Sequence, residues 1–280
     1  MVSIEMPEAR ILAIQMQKEL VGKTIQSWRI DEGEKLKKSK MVNENLQDYD
    51  GLIGRTIQSV RSRGNIIHVK LDNKLNLLIA PEYGGALLFH ENTSHLPKKK
   101  HLTLEFGDET AFTVRLKGWG HIYSVEDSRL KSSYVYARDF SDTMAPDEEQ
   151  FTYEHFSEQM RSASRNIKMA LVGKDAVVVG LSNSAFQDII YRAKVHPKRK
   201  SSNLSDSEMK SLYEAIQTVV RERLKLGGKT QFADLYGKQG GYSPAMGPNM
   251  KDESCPNCGT MVEKIAHGGG HVYLCPECQK

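Results

Sequence analysis

Cys255-Pro-Asn-Cys258 is followed, after sixteen intervening residues, by Cys275-Pro-Glu-Cys278, and these are the only four cysteines in the 280-residue chain. A C-x-x-C pair forms a tight knuckle that aims two thiolates at one point. Two such pairs at this separation supply the closed tetrahedral shell of a structural Zn²⁺, with no position left open for catalysis. Gly259 supplies the turn after the first knuckle. Residues Thr260–Glu263 and His271–Leu274 read as two short strands joined by Gly268-Gly269-Gly270, which makes a zinc ribbon with a glycine-rich tip. Two disulfides or a dithiol redox pair are the competing arrangements. They fit poorly, because the opening Met-Val-Ser-Ile-Glu-Met-Pro-Glu does not read as a secretory signal. A reducing, cytoplasmic setting is expected.

The elements that must carry this ribbon follow from the hydrophobic patterning. Pro7 suits the first turn of a helix running to about Leu20, with Ile11, Leu12, Ile14, Met16, Leu20 and Val21 as its apolar residues and Gly22 as its stop. From Thr24 to about Asp127 the period changes to two. Eight short runs, starting at Ile25, Ile57, Ile66, Leu75, Ala86, Leu102, Ala111 and Ile122, are bounded by Gly, Asp, Asn or Pro. Short strands punctuated in this way predict a β-sandwich or barrel. Lys35–Asn45 reads as a charged mobile loop and Pro97-Lys98-Lys99-Lys100 as an exposed one.

From Phe151 the pattern turns helical, with helices over Tyr153–Arg161, Asn166–Val172, Ser184–Lys194 and Leu204 to about Leu226. The last is opened by Ser205 with Glu208 three residues on, and stopped by Gly227-Gly228. Asp234–Met250, rich in Gly, Pro and Asn, reads as a linker. The fold class is α+β: an N-terminal helix with a β-sandwich (1–130), a helical domain (131–240), and a linker with the four-cysteine zinc ribbon (241–280).

Net charge of +4 hides an asymmetry. Residues 1–160 carry 21 Lys and Arg against 24 Asp and Glu, whereas residues 161–280 carry 18 against 11, a net of +7. A basic helical half beside a zinc ribbon suits a polyanion, and DNA first. No apolar run reaches the roughly 18 residues of a membrane helix, so no membrane partner is expected.

The second half is the more specific. Val178-Val179-Gly180-Leu181-Ser182-Asn183 leads into a helix ending Arg192-Ala193-Lys194-Val195-His196-Pro197; Tyr236-Gly237 and the terminal Cys275-Pro-Glu-Cys278-Gln279 follow. These features resemble the Fpg/Nei family of DNA glycosylases across nearly the whole chain, and the first of them resembles its helix–two-turn–helix motif. The resemblance implies a base-excision-repair enzyme that works as a monomer on damaged or abasic double-stranded DNA and extrudes a nucleotide into a pocket. Asn183 would meet a phosphate at a helix start, or simply cap that helix. Lys198, Arg199 and Lys200 would lie near the same groove, with Arg63 and His271 as further DNA contacts. Trp119 and Tyr83 would fill the gap left by the flipped base, or else serve as core or rim aromatics.

Family members usually begin Met-Pro-Glu-x-Pro-Glu, where the terminal proline amine attacks the sugar C1′ and the adjacent glutamate moves protons. Placing Pro7-Glu8 on the second Pro-Glu puts Glu5 on that glutamate and Ile4 on the proline; loss of Met1 would leave the Val2 amine as the nucleophile. Arg63-Gly64-Asn65 stands where the family has Arg-Gly-Lys, and Gly268-Gly269-Gly270 where its ribbon tip carries an arginine, with His271 the nearest substitute. These departures weaken the expectation of AP-lyase activity. They leave a Glu5-activated water as the simplest route to base removal. Two other readings stay open: a binding module that recognises damaged or structured nucleic acid without chemistry, and a glycosidase for another N-glycosidic substrate.

Overall fold

The computed structural model describes residues 4–82, 84–173 and 175–280. The chain forms two compact units. One holds the residues up to Ser141 together with Gly227–Gly241, the other Asp142–Leu226 with Tyr242–Lys280.

In the first unit, helix α1 (Met6–Leu20) is opened by Glu5 and Pro7. Ala9, Leu12, Ala13, Met16 and Leu20 are buried at helical spacing. Ile14, which the periodicity includes in that stripe, lies outside it and is 61% exposed. Eight strands follow: β1 (Ile25–Ile30), β2 (Ile57–Arg63), β3 (Ile66–Leu71), β4 (Leu75–Ala80), β5 (Ala86–His90), β6 (Leu102–Phe106), β7 (Ala111–Arg115) and β8 (His121–Glu126). They pair antiparallel in two four-stranded sheets, ordered β1-β6-β7-β5 and β2-β3-β4-β8. Ile25, Leu102, Phe106 and Phe112 of one sheet share a core with Ile57, Ile67, Leu77 and Ile79 of the other and with Leu12 and Met16. This is the sandwich that the period-two runs predict.

Two segments of this unit differ from the sequence expectation. Within Lys35–Asn45, residues 35–38 belong to helix α2 (Gly33–Lys38) and the rest pack down. Leu36, Met41 and Val42 are buried in the core, and the Asn43 amide exchanges two hydrogen bonds with the Ser124 backbone, at 2.8 and 2.9 Å. Three apolar residues at irregular spacing among five charges carry no periodic signal, although they anchor the segment. Likewise, the start of the expected 234–250 linker is core. Phe232 and Leu235 are buried in the sandwich core, and the Gln15 amide binds both the Leu235 N–H and the Asp234 carboxylate, each at 2.9 Å. Two short helices, α3 (Asp127–Leu130) and α4 (Tyr134–Asp139), close the first stretch of this unit.

The second unit contains α5 (Tyr153–Ala163), α6 (Ile167–Val172), α7 (Asn183–Arg192), α8 (Asp206–Lys225) and the hairpin β9 (Glu263–His267) and β10 (Gly270–Leu274). Ser205 and Glu208 form the expected capping box: Ser205 Oγ accepts the Glu208 N–H at 3.2 Å and Glu208 accepts the Ser205 N–H at 2.8 Å. The first hairpin strand starts at Glu263, where the sequence suggests it would end. The turn is the two residues Gly268 and Gly269, at φ +53° and +75°. Two successive left-handed residues are what a tight hairpin turn of matching twist requires, and glycine supplies them without strain. The hairpin rests on α7, where Gln187 accepts the Tyr273 N–H at 2.7 Å.

Candidate functional site

The four cysteine sulfurs lie within 4.8 Å of one another. Cys255 and Cys278 approach to 3.9 Å, and Cys258 and Cys275 to 3.4 Å. Tetrahedral Zn–S bonds of about 2.3 Å place sulfurs about 3.8 Å apart, so the four fit a structural Zn²⁺. Donors already face the sulfurs: the Asn257 amide points at Cys278 Sγ (3.2 Å), the Cys278 N–H at Cys275 Sγ (3.4 Å), and the Tyr191 hydroxyl contacts Cys255 Sγ (3.3 Å). Such donors spread the charge of a four-thiolate shell. Gln279 then ties the second knuckle to the turn after α7, accepting the Cys275 N–H (2.9 Å) and donating to the Val195 carbonyl (3.1 Å).

At the turn before α7, Ser182 is the capping residue and Asn183 the first helical one, so Asn183 is not the cap. Its amide nitrogen donates to the His271 carbonyl at 2.9 Å, which brings these two candidate residues together through the hairpin backbone. The Asn183 Oδ1 is buried and has no hydrogen-bond partner among the described residues. The His271 side chain is exposed. The run Lys198-Arg199-Lys200 divides by role. Lys198 and Lys200 are exposed. Arg199 forms a fork on Glu208 (3.0 and 3.1 Å) and donates to the carbonyls of Asn203 (2.8 Å) and Lys280 (3.2 Å).

The first unit holds a second constellation. Glu5 and Glu8 are both buried, at 1% and 0% exposure, and form a capping box at the start of α1 in which Glu8 accepts the Glu5 N–H at 3.2 Å. The positive end of the helix favours both carboxylates. Lys229, which the sequence reading does not single out, reaches the same place. Its Nζ lies 3.0 Å from Glu5 Oε2 and its backbone N–H donates to Glu8 Oε1 at 3.3 Å. Nothing local marks this lysine in the sequence, because its partner is 224 positions away.

The turn between β2 and β3 carries Arg63 and Asn65. Arg63 donates to the Ser141 carbonyl at 2.8 Å and to that of Asp139. Asn65 accepts from Arg138, which is also paired with Glu82 and Asp139, each at 2.6 Å. Gly64 lies so close to this group that a Cβ there would collide with the Asp139 carboxylate. Trp119 stands 46% exposed on its turn, edge-on to His121 at 5.7 Å. Val2 and Tyr83 lie outside the described residues. Among the described residues no helix is long and apolar enough to cross a membrane.

The sequence matches three known domain families in succession. Residues 4–118 match the formamidopyrimidine-DNA glycosylase N-terminal domain, 143–234 the formamidopyrimidine-DNA glycosylase H2TH domain, and 252–280 the zinc finger found in FPG and IleRS. A formamidopyrimidine-DNA glycosylase of Listeria innocua is 30% identical over 285 residues, covering 99% of each chain. One of Cytobacillus firmus is 29% identical over 286 residues, covering 98% of this chain and 99% of the relative. Among solved structures, the Lactococcus lactis Fpg in complex with DNA containing an abasic site superposes with a TM-score of 0.85 at 23% identity, over 99% of both chains. MutM in complex with DNA containing carbocyclic 8-oxo-G gives 0.84 at 22%, again over 99% of both.

Proposed function

The chain belongs to the formamidopyrimidine-DNA glycosylase family, and from that premise we propose that it is a DNA N-glycosylase that excises damaged bases from duplex DNA, with Glu5 as its acid–base group. The observation that carries this reading is the Glu5 carboxylate, buried at a helix start and held by Glu8 and Lys229. A base within a duplex cannot meet a buried carboxylate, so the damaged nucleotide is turned out of the stack to reach it. Glu5 then takes a proton from the attacking nucleophile as the C1′–N bond breaks, and the base leaves with the electron pair of that bond and a proton. Trp119, with Tyr83, fills the gap left behind.

Binding draws on phosphate contacts: Asn183 at the start of α7, with Lys198, Lys200, His271 and Arg63 as polar neighbours of the backbone, and Arg199 bracing the loop that presents the two lysines. Asn65 cannot supply the charge of a phosphate-gripping lysine, and Ile4 stands in the place of the family's proline, so strand cleavage through the Val2 amine is the weakest part of the family's chemistry here. Four cysteines held on a structural zinc suit a reducing, cytoplasmic setting, and the enzyme works as a monomer. The names of the relatives favour this reading over a binding module without chemistry.

The test is base release from duplexes carrying a formamidopyrimidine or 8-oxoguanine lesion. The wild type should release the base, and Glu5→Gln should lose about 10²-fold or more in rate, the usual contribution of a positioned acid–base group. Tight binding of the same duplexes with no base released would overturn it.

A further inference from the structure

Glu5 is the candidate acid–base group, and the group beside it is an amine. Lys229 Nζ and Glu5 Oε2 are 3.0 Å apart, and the two side chains are 3% and 1% exposed. Burying an ammonium is expensive even when it is paired, and a surface ion pair would serve a loop equally well. The loop that delivers this lysine is also fixed tightly. Gly228 sits at φ +90°, and a Cβ there would meet Phe232 at 2.5 Å and Glu8 Cγ at 3.2 Å, so the backbone is pressed against the glutamate pair. The Lys229 N–H is bound by Glu8, whose other oxygen holds the Glu5 N–H. Amine and carboxylate are thus hung from one frame, in hydrogen-bond contact. A nucleophile within reach of a base that is itself oriented by a third group is the arrangement that activates an amine. Both side chains are buried and their reacting atoms are 3.0 Å apart, so a C1′ carbon in contact with Glu5 Oε2 lies within a few ångströms of Lys229 Nζ.

C1′ of a nucleotide carries both the ring oxygen and the base nitrogen, so an amine that displaces the base there can end as an imine. On the glycosylase reading above, we propose that Lys229 is the nucleophile and that it gives the protein strand-cleaving activity independent of its N-terminal amine. Glu5 takes a proton from the Lys229 ammonium. The lone pair of Nζ forms a bond to C1′ as the C1′–N bond breaks, and the base leaves with that electron pair and the second Nζ proton. The C1′–O4′ bond then opens, O4′ taking the electron pair and the proton from Glu5, which leaves a protonated Schiff base between Nζ and C1′. Glu5, again a carboxylate, removes a C2′ proton. The C3′–O bond breaks with its electron pair on the departing phosphate, which cuts the strand. With a site that is already abasic, the same amine condenses with the aldehyde and releases water.

Borohydride trapping of the full-length protein on a duplex with an abasic site tests this directly, with the adduct located by peptide mass. The expected result is a reduced adduct on the peptide containing Lys229, kept when the N-terminal amine is acetylated and reduced to background in Lys229→Arg. That variant keeps a cation beside Glu5, and its circular dichroism checks that it is folded. An adduct on the N-terminal amine overturns the proposal, and so does the absence of any adduct from wild type that binds the duplex. Base release read in parallel separates the two readings. Release from lesion duplexes without a Lys229 adduct removes the lysine and leaves the glycosylase, whereas a Lys229 adduct without release from any lesion removes the glycosylase and leaves an amine acting on abasic sites.

Discussion

Asp139 is 3% exposed and its carboxylate holds two partners at once, the Asn65 N–H at 2.8 Å and the Arg138 guanidinium at 2.6 Å, while lying where a Cβ on Gly64 would stand. Its charge is tolerable because Arg138 lies against it and Glu82, and those carboxylates outweigh burial to push the arginine further towards its charged form. Removing one partner of such a pair leaves the other charge buried and alone, which costs more than the pair contributes. Arg138→Ala should therefore destabilise the protein by about 3 kcal/mol, a typical cost for breaking a buried pair. Adding Asp139→Ala should recover part of that loss. Urea unfolding of the two singles and the double measures it; costs that simply add would mean the network is not coupled. None of this was legible in the sequence. Arg63-Gly64-Asn65 could be recognised by its resemblance, but the partners that occupy Asn65 come from 73 and 74 positions away. Lys229 escaped notice for the same reason. A single residue's chemistry is set by neighbours that the chain order does not place beside it.

Elements were easier to read, because their signal is periodic. Period-two runs gave the eight strands, and the Ser205–Glu208 box gave the start of α8. Misreadings fell where burial is achieved without period: Leu36, Met41 and Val42 in the supposed mobile loop, and Leu235 in the supposed linker. The ribbon hairpin shows what an element fixes once formed. Its tip is clamped to α6. Lys168, buried by that contact, donates from Nζ to the His267 carbonyl at 2.6 Å, and the His267 ring meets Asn166 Oδ1 at 2.9 Å. A side chain on Gly268 would have its Cβ 2.9 Å from Lys168 Cδ, at a φ of +53°. A β-branched residue suffers most there, since the left-handed region alone costs about 1–2 kcal/mol. Gly268→Val should lower Tm by several degrees while zinc content stays near one per chain, because the cysteine knuckles lie at the far end of the hairpin. Loss of zinc together with stability would show that the tip and the metal shell fold as one piece.

Over the whole molecule the charge is unevenly spread, from a net of −3 in residues 1–160 to +7 in residues 161–280. If DNA is the partner, its phosphates are met chiefly by the second stretch, and affinity must fall as salt rises, because each neutralised phosphate releases condensed counterions. The structure sharpens which charges count. Lys198 and Lys200 are exposed, whereas Arg199 between them is engaged by Glu208 and two backbone carbonyls. A lysine that meets phosphate contributes about one unit to the slope of log affinity against log salt. Removing Lys198 and Lys200 together should therefore flatten that slope by about two units without moving Tm. Arg199→Ala should do the reverse: the slope should hold, and Tm should fall as Glu208 loses its fork and the Asn203 and Lys280 carbonyls lose a donor. Fluorescence anisotropy on one duplex across a salt series, with thermal melts of the same three proteins, decides it. An Arg199→Ala slope that drops as much as that of a single lysine variant would mean that the guanidinium lets go of Glu208 when DNA arrives, and that all three residues of the basic run serve the polyanion.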